Sequence, residues 1–380
     1  MSWQMMRLLV ELGLGLYFFS RCRLAFGGGW WQLPLLIWLA LMLGPVYLMR
    51  RGLVSQEAIE VLMWLGPMWL CYMVLFVLSS LGLDLARLGL GLAGRFSGHD
   101  WWGLLAAKRA VPLALVLSLM LSGYAWYEAH QPRLVHLSIE SPRRPPGSEA
   151  LRIVQLSDIH LSRYVRRAEL SRITELARAA RPDILAVTGD LVDTDMRGRI
   201  EEAKLLAAIQ PRYGAFAVTG NHELYSGEGQ ALDFYRQAGL QVLRGEAVEA
   251  GGIIVAGADD EIFGGRNDRE PLGRLLSRYQ PDPRFVLLLK HRPAPAPNTG
   301  GLYDLQLSGH SHGGQFFPGH IFAWLAHKYF YGLYESSGRS AVYVSRGAGF
   351  WGMPMRFLAP PEVVLIEIKA PAEPAGRPRP

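Results

Sequence analysis

The sequence predicts an α/β domain carried behind a membrane-embedded helical region. Three observations lead there. Five short apolar runs in the C-terminal two thirds each end just before a histidine, aspartate or asparagine motif, a stretch of helical period separates the first two runs, and the first third contains uncharged stretches too long for soluble structure.

Residues 24–49, 61–83 and 110–127 hold no charged side chain over 26, 23 and 18 residues, each long enough to cross a hydrocarbon core of about 30 Å. Arg50 and Arg51 follow the first, Asp84 the second, and Lys108 and Arg109 precede the third, with Trp30, Trp31, Tyr124, Trp126 and Tyr127 placed as interfacial anchors. Residues 8–19 are a fourth candidate. This stretch carries Glu11 and ends at Ser20, Arg21 and Arg23, so an interfacial helix, a span extended to Phe26 and a signal-like segment all remain open.

A bundle of three or four spans is therefore expected, and its parity decides which side the following domain faces. With four spans, Arg21, Arg23, Arg87, Arg95, Lys108 and Arg109 lie on one side and Arg7, Arg50, Arg51, Arg133, Arg143 and Arg144 on the other, an even balance that assigns no side. Residues 84–96, rich in leucine and glycine with two arginines, read as either an amphipathic surface segment or a loop.

In the C-terminal part, residues 134–140, 151–156, 184–187, 215–218, 285–289 and 302–307 are short and apolar, as buried strands are. Within 165–180, Leu170, Ile173, Leu176, Ala177 and Ala180 recur at helical spacing, and Arg181-Pro182-Asp183 ends the helix. Strand, helix, strand in one unit favours parallel pairing, and open sheets of that kind bind ligands beyond the carboxyl ends of their strands. Arg143 and Arg144 offer a contact for lipid headgroups, but Pro142, Pro145, Pro146 and Gly147 around them mark a turn between the first two strands, the reading preferred.

The motifs sit at those ends: Asp158-Ile-His160, Gly189-Asp190, Gly220-Asn221-His222, Lys290-His291 and Gly309-His310-Ser311-His312, which together use five of the ten histidines. Imidazole, carboxylate and an amide oxygen are the donors a protein uses for Mn, Fe or Zn without thiolate. Two ions about 3.5 to 4 Å apart need a shared carboxylate and enough terminal ligands to leave room for a water between them. Asp158, His160, Asp190, Asn221, His291, His310 and His312 suffice for two divalent ions, with manganese the first to test.

In order and spacing these blocks resemble the calcineurin-like metallophosphoesterases, whose pattern is D-x-H, G-D, G-N-H-[DE], H and G-H-x-H. Leu151 to His160, Gly309-His-Ser-His-Gly-Gly-Gln315 and Ser345-Arg-Gly-Ala-Gly349 with Trp351-Gly352 are similar to its membrane-associated bacterial branch, over residues 134–368. The resemblance implies an α/β sandwich of two mixed sheets flanked by helices. It implies one metal held by Asp158, His160, Asp190 and His312 and the other by Asp190, Asn221, His291 and His310, with Asp190 bridging. His222 matches the histidine that faces the phosphate as general acid or charge stabiliser, and Glu223 is the candidate to orient it. The implied chemistry is in-line attack on phosphorus by a metal-bridging hydroxide.

The expected organisation is a membrane region over residues 1–130, a phosphoesterase domain over 131–368 and a disordered proline-rich tail over 369–380. The expected function is a membrane-anchored phosphoesterase or pyrophosphatase, acting on a phosphorylated small molecule or a lipid-linked phosphate, in a multi-pass location such as a bacterial inner membrane. The resembled branch includes UDP-2,3-diacylglucosamine pyrophosphatases, a narrower alternative. A metal-binding sensor or scaffold without turnover is the alternative from another class.

The remaining signals are weaker. A net charge of +6 and a pI near 9.3 favour anionic headgroups or phosphorylated substrates, and no aromatic-interleaved basic stripe points to nucleic acid. Both cysteines, Cys22 and Cys71, lie in the membrane third, so no disulfide framework exists. Asp259 and Asp260 read as a solvated loop, His320 and His327 as structural or interfacial histidines, and Arg346 as an ion-paired residue or an anion contact.

Overall fold

The computed structural model describes residues 3–30, 32–33, 35–37, 56–162, 165, 167–263, 270–280 and 282–371. It divides into two compact units, residues 1–127 and 128–380.

The first unit is helical: α1 (Trp3–Phe26), α2 (Gln56–Ser97) and α3 (Ala107–Ala129). Among the described residues two helices are long and apolar enough to cross a membrane, Leu65–Ser97 and Ala107–Ala129. The expected stretches 61–83 and 110–127 fall on α2 and α3, but the expected 24–49 span reaches into 38–55, outside the described residues. The 8–19 candidate is helical throughout as part of α1. That helix carries Arg7, Glu11, Arg21 and Arg23, and so many charges keep it out of the apolar class. Of the expected three or four spans, two are supported among the described residues.

Residues 84–96 are neither loop nor separate surface segment, because α2 continues through them to Ser97 and is about 63 Å long at 1.5 Å per residue. Phe18 of α1 packs against Phe76 of α2 with ring centroids 4.6 Å apart. Arg21 forms a two-pronged pair with Asp84 at 2.9 and 3.0 Å. An apolar setting favours pairing these charges over leaving either alone.

The second unit contains two six-stranded mixed sheets. The first has the order β1-β12-β2-β3-β4-β5, formed by β1 (Arg133–Glu140), β2 (Leu151–Leu156), β3 (Ile184–Thr188), β4 (Ala215–Val218), β5 (Gln241–Val242) and β12 (Glu362–Lys369). The second has the order β10-β11-β9-β8-β7-β6, from β6 (Glu246–Ala250), β7 (Ile253–Gly257), β8 (Val286–Leu289), β9 (Leu305–Ser308), β10 (Gly332–Glu335) and β11 (Ala341–Val344). β2, β3 and β4 are mutually parallel, as the strand-helix-strand pattern predicts, and so are β8 and β9. β1 and β2 are not neighbours. The C-terminal β12 lies between them, parallel to one and antiparallel to the other, and residues 141–150 make the connecting turn.

Alternation sorts the side chains into three layers. Ile153, Ile184, Ala186, Val218, Ile253, Val255, Leu287, Leu305 and Ile366 meet between the sheets. The opposite face of the first sheet packs Val154, Leu185 and Val187 under α4 (Arg167–Ala179), α5 (Ile200–Ala207) and α7 (Glu228–Gln237), which contribute Leu170, Ile173, Leu206 and Phe234. The outer face of the second sheet packs Ile254, Val286 and Leu288 against Leu272 and Leu276 of α8 (Leu272–Ser277). Strands buried on both faces have no polar side to show, and this is why their sequences read as unbroken apolar runs.

α4 starts two residues later than its periodicity suggests, because Val165 bridges Leu161 instead of joining the helix. It stops where Arg181 takes a positive φ of 49° ahead of Pro182. Leu287 lies fully buried between the sheets. Leu287→Ala should cost about 2–5 kcal/mol, read as a lowered melting temperature in detergent, whereas Ile200→Ala on the exposed start of α5 should change it by about 0.5 kcal/mol or less.

Candidate metal centre

The parallel strands bring five motifs to one edge of the sandwich. β2, β3 and β4 end at Leu156, Thr188 and Val218, and β8 and β9 at Leu289 and Ser308, each one to three residues before a motif. Gln155 ties the two sheets together here, donating to the Thr188 hydroxyl and the Ser308 carbonyl at 2.9 Å each.

The loops then turn sharply. Asp158, His160, Asp190, His310 and His312 all hold a positive φ, between 50° and 70°. Non-glycine residues avoid that region, and strain kept at five of the seven candidate ligands marks a site whose geometry outranks local backbone preference. Gly309 is required by close approach: a Cβ there would strike the Asp158 carboxylate and the Ser157 hydroxyl.

Three groups of ligand-type side chains form among the described residues. Two consist of proposed ligands, Asp158, His160 and His312 in one and Asp190, His291 and His310 in the other, while the third joins His160 to Asp193 and His222; the donor atoms of each group lie within 4.8 Å of one another. His160 Nε2 and His312 Nε2 are 3.0 Å apart, and His291 Nε2 and His310 Nδ1 are 3.1 Å apart. Asp190 belongs to both neighbourhoods: its Oδ2 lies 3.2 Å from His291 Nε2 and 3.7 Å from His160 Nε2.

The surroundings fix which ring atom faces inward. His291 Nδ1 donates to the Thr188 carbonyl at 2.8 Å, which turns Nε2 toward Asp190. Asp158 receives the Ser157 hydroxyl at 2.6 Å and the His310 backbone N–H at 3.0 Å, and Asp190 receives the His222 backbone N–H at 2.9 Å.

Electrostatics agree with a cation-binding pocket. Burial lowers His160 to about 4 and His310 to about 3, so both rings are neutral and able to donate a lone pair. Burial would also lower His291, but the Asp190 carboxylate outweighs it and lifts the ring to about 10. Burial raises Asp158 to about 6. A buried carboxylate pair calls for positive charge, and the protein itself offers the protonated His291 ring and the fully buried Arg356 guanidinium, 3.3 Å from His312 Nδ1.

The donor set fits a pair of divalent ions on a further ground. Asn221 is buried and its Oδ1 has no hydrogen-bond partner. An orphaned buried carbonyl is costly unless something outside the chain satisfies it, and an amide oxygen is a hard-cation donor.

His222 sits beside the first group, with its ring centroid 4.6 Å from that of His160. Its Nδ1 bonds the Asp193 carboxylate at 2.5 Å. Asp193 therefore takes the orienting place that the sequence reading gave to Glu223. The only sequence signal for it is a second carboxylate three residues beyond Asp190. Glu223, in the short α6 (Asn221–Ser226), instead accepts the backbone N–H groups of Gly220 at 2.6 Å, Leu191 at 2.8 Å, Asp190 at 3.1 Å and Val192 at 3.2 Å, clasping the Asp190 loop to the start of the helix that carries Asn221.

Other expectations are settled by contact. Asp259 and Asp260 are not a solvated loop: both are buried, Asp259 paired with Arg244 and Asp260 with Arg292 at 2.9 Å. Arg346 is an ion-paired residue, its partner being Glu362 at 2.7 Å. Arg143 donates to the Asp282 and Arg284 carbonyls and Arg144 to those of Gly251 and Glu149, the structural role expected of that turn. The expected tail falls almost wholly on 372–380, outside the described residues.

Comparison with known proteins gives a consistent picture. The family model for calcineurin-like phosphoesterases matches residues 151–314, from β2 through the Gly309–His312 motif. The chain is similar to an uncharacterized metallophosphoesterase of Aquifex aeolicus, 38% identical over 264 residues that cover 67% of this chain and 98% of that one. It is also similar to proteins named transmembrane protein with metallophosphoesterase domain. The Danio rerio protein is 31% identical over 368 residues, covering 89% of this chain and 80% of its own. The Bos taurus protein is 32% identical over 298 residues, covering 73% and 66%.

Proposed function

The chain belongs to the calcineurin-like metallophosphoesterase family and is a phosphoester hydrolase, and on that premise we propose a membrane-anchored enzyme working with two divalent ions. The observation that carries the reading is the place of Asp190 between two imidazole groups, with the orphaned Asn221 oxygen on the segment whose His222 N–H bonds the Asp190 carboxylate. Asp158, His160, Asp190 and His312 would hold one ion and Asp190, Asn221, His291 and His310 the other. When bound, such a pair polarises phosphoryl oxygens and lowers the pKa of a shared water.

The protein's own groups complete the chemistry. With Nδ1 engaged by Asp193, the His222 ring has Nε2 left to protonate the departing oxygen or to stabilise charge on the phosphoryl group. Glu223 keeps the Asp190 and Asn221 loops in register, so the donor set is assembled before substrate arrives. Residues 1–130 would serve as a multi-pass anchor and 131–368 as the hydrolytic domain, with α2 and α3 as membrane-spanning helices.

The test is hydrolysis of a chromogenic phosphodiester by the purified full chain in detergent with manganese. Activity should vanish on chelation and return with manganese, whereas metal retained without turnover would mean a sensor. Release of UMP from UDP-2,3-diacylglucosamine tests the narrower substrate assignment. Asp193 acts as a positioning residue: Asp193→Asn should lower kcat roughly ten- to a hundredfold, as loss of an outer partner of a site imidazole does. KM and metal content should stay near the wild-type values, which a merely structural defect would not spare.

A further inference from the structure

The helix after the metal motif is built against the usual rule for a globular surface. α9 (Gly319–Ala326) buries none of its residues, although its sequence is almost wholly apolar. Phe322, Trp324 and Leu325 are each 65% to 70% exposed, and Ile321 is also exposed. Tyr331, Leu333 and Leu358 nearby are exposed as well. Ile321, Trp324, Phe330, Tyr331 and Leu358 line one open groove of about 340 Å³. A contiguous apolar patch of this kind marks an interaction surface.

The patch adjoins the proposed catalytic centre. Gly313, next to His312, lines the same groove, and the His327 ring at the end of α9 stands 6.3 Å from that of His310. On another side of the centre, exposed Tyr225 and Trp351 flank His222, with centroids 5.2 and 5.7 Å from its ring.

Charge and composition narrow the occupant. Residues 315–334 contain eight aromatic side chains, Lys328, His320 and His327, and no aspartate or glutamate. Aromatic residues with basic and without acidic neighbours form the pattern of a segment lying in the interface of an anionic membrane. The same polypeptide carries two helices long and apolar enough to cross a bilayer, so a lipid surface is the apolar phase always at hand.

We propose that α9 and the aromatic segment that follows it form a docking surface for an anionic phospholipid bilayer. Phe322, Trp324 and Leu325 enter the acyl boundary and Lys328 stays at the headgroups. Docking presents a lipid-borne phosphate to the metal centre, a consequence that rests on the hydrolytic reading above, whereas the docking itself does not.

The experiment uses the full chain in liposomes containing phosphatidylglycerol, with Cys22 and Cys71 replaced by serine and a bimane label on a cysteine at Phe322. Tyr213→Cys, in the exposed turn that enters β4 at the far end of its sheet, carries the label as control. Doxyl groups on the lipid acyl chains should quench position 322 at least about twofold more than position 213, and less in purely phosphatidylcholine liposomes. Equal, weak quenching at the two positions overturns the proposal, as does cross-linking between copies through position 322 without quenching, which would make α9 a dimer surface. Hydrolysis of the soluble diester is measured on the same preparations. Its absence would count against the hydrolase reading and leave the quenching result standing.

Discussion

Asp190→Ala is expected to abolish turnover and to empty the centre of at least one ion. Among the described residues Asp190 is the carboxylate within 4 Å of ring nitrogens in both imidazole groups, 3.2 Å from His291 and 3.7 Å from His160, so its removal takes a ligand from each proposed ion at once. It also leaves the buried His291 without the charge that holds it near 10. Metal polarisation of a phosphoryl group contributes several kcal/mol, and each ~1.4 kcal/mol is a factor of ten, so a loss of about a thousandfold or more should follow. Metal content by mass spectrometry and the rate on a phosphodiester are the two measurements. Full occupancy with a rate within about tenfold of wild type would remove Asp190 from the bridging position.

His222→Ala separates proton transfer from metal binding. His222 clusters with His160 and Asp193 but is not one of the seven proposed ligands, so metal content should be unchanged while the rate falls by about a hundred- to ten-thousandfold on a substrate whose leaving oxygen needs a proton. A nitrophenolate leaves without one, and the loss on that substrate should be smaller. An equal loss on both substrates would assign His222 to charge stabilisation of the phosphoryl oxygens instead of acid catalysis. Loss of metal in this variant would contradict both roles.

Much of the site was legible before the fold. Asp158, His160, Asp190, Asn221, His291, His310 and His312 stand out as candidate ligands because metal chemistry restricts the donor types, and because each follows an apolar run that reads as a buried strand. Asp193 was not legible: a carboxylate after a strand looks the same whether it meets solvent or an imidazole, and only the fold of the Asp190 loop brings it to His222. Glu223 shows the reverse. Its neighbour in sequence suggested a partner, yet its carboxylate turns to four backbone N–H groups, since a buried acid is stabilised more by several converging donors than by one side chain. Asp259 and Asp260 looked like loop residues because their partners, Arg244 and Arg292, are 15 and 32 residues away.

Residue order was enough to reveal the kinds of material in the chain: apolar stretches of membrane length, apolar runs of strand length, and a set of candidate metal donors in fixed order. Those properties are local, set by the side chains of a dozen consecutive residues and by what water or hydrocarbon will accept. Tertiary structure alone decided that β12 separates β1 from β2, that Asp190 stands between two histidine groups, and that α9 remains uncovered beside them. Each of these depends on which distant segments pair or fail to pair, a sum over the whole packed domain that no single stretch of sequence carries.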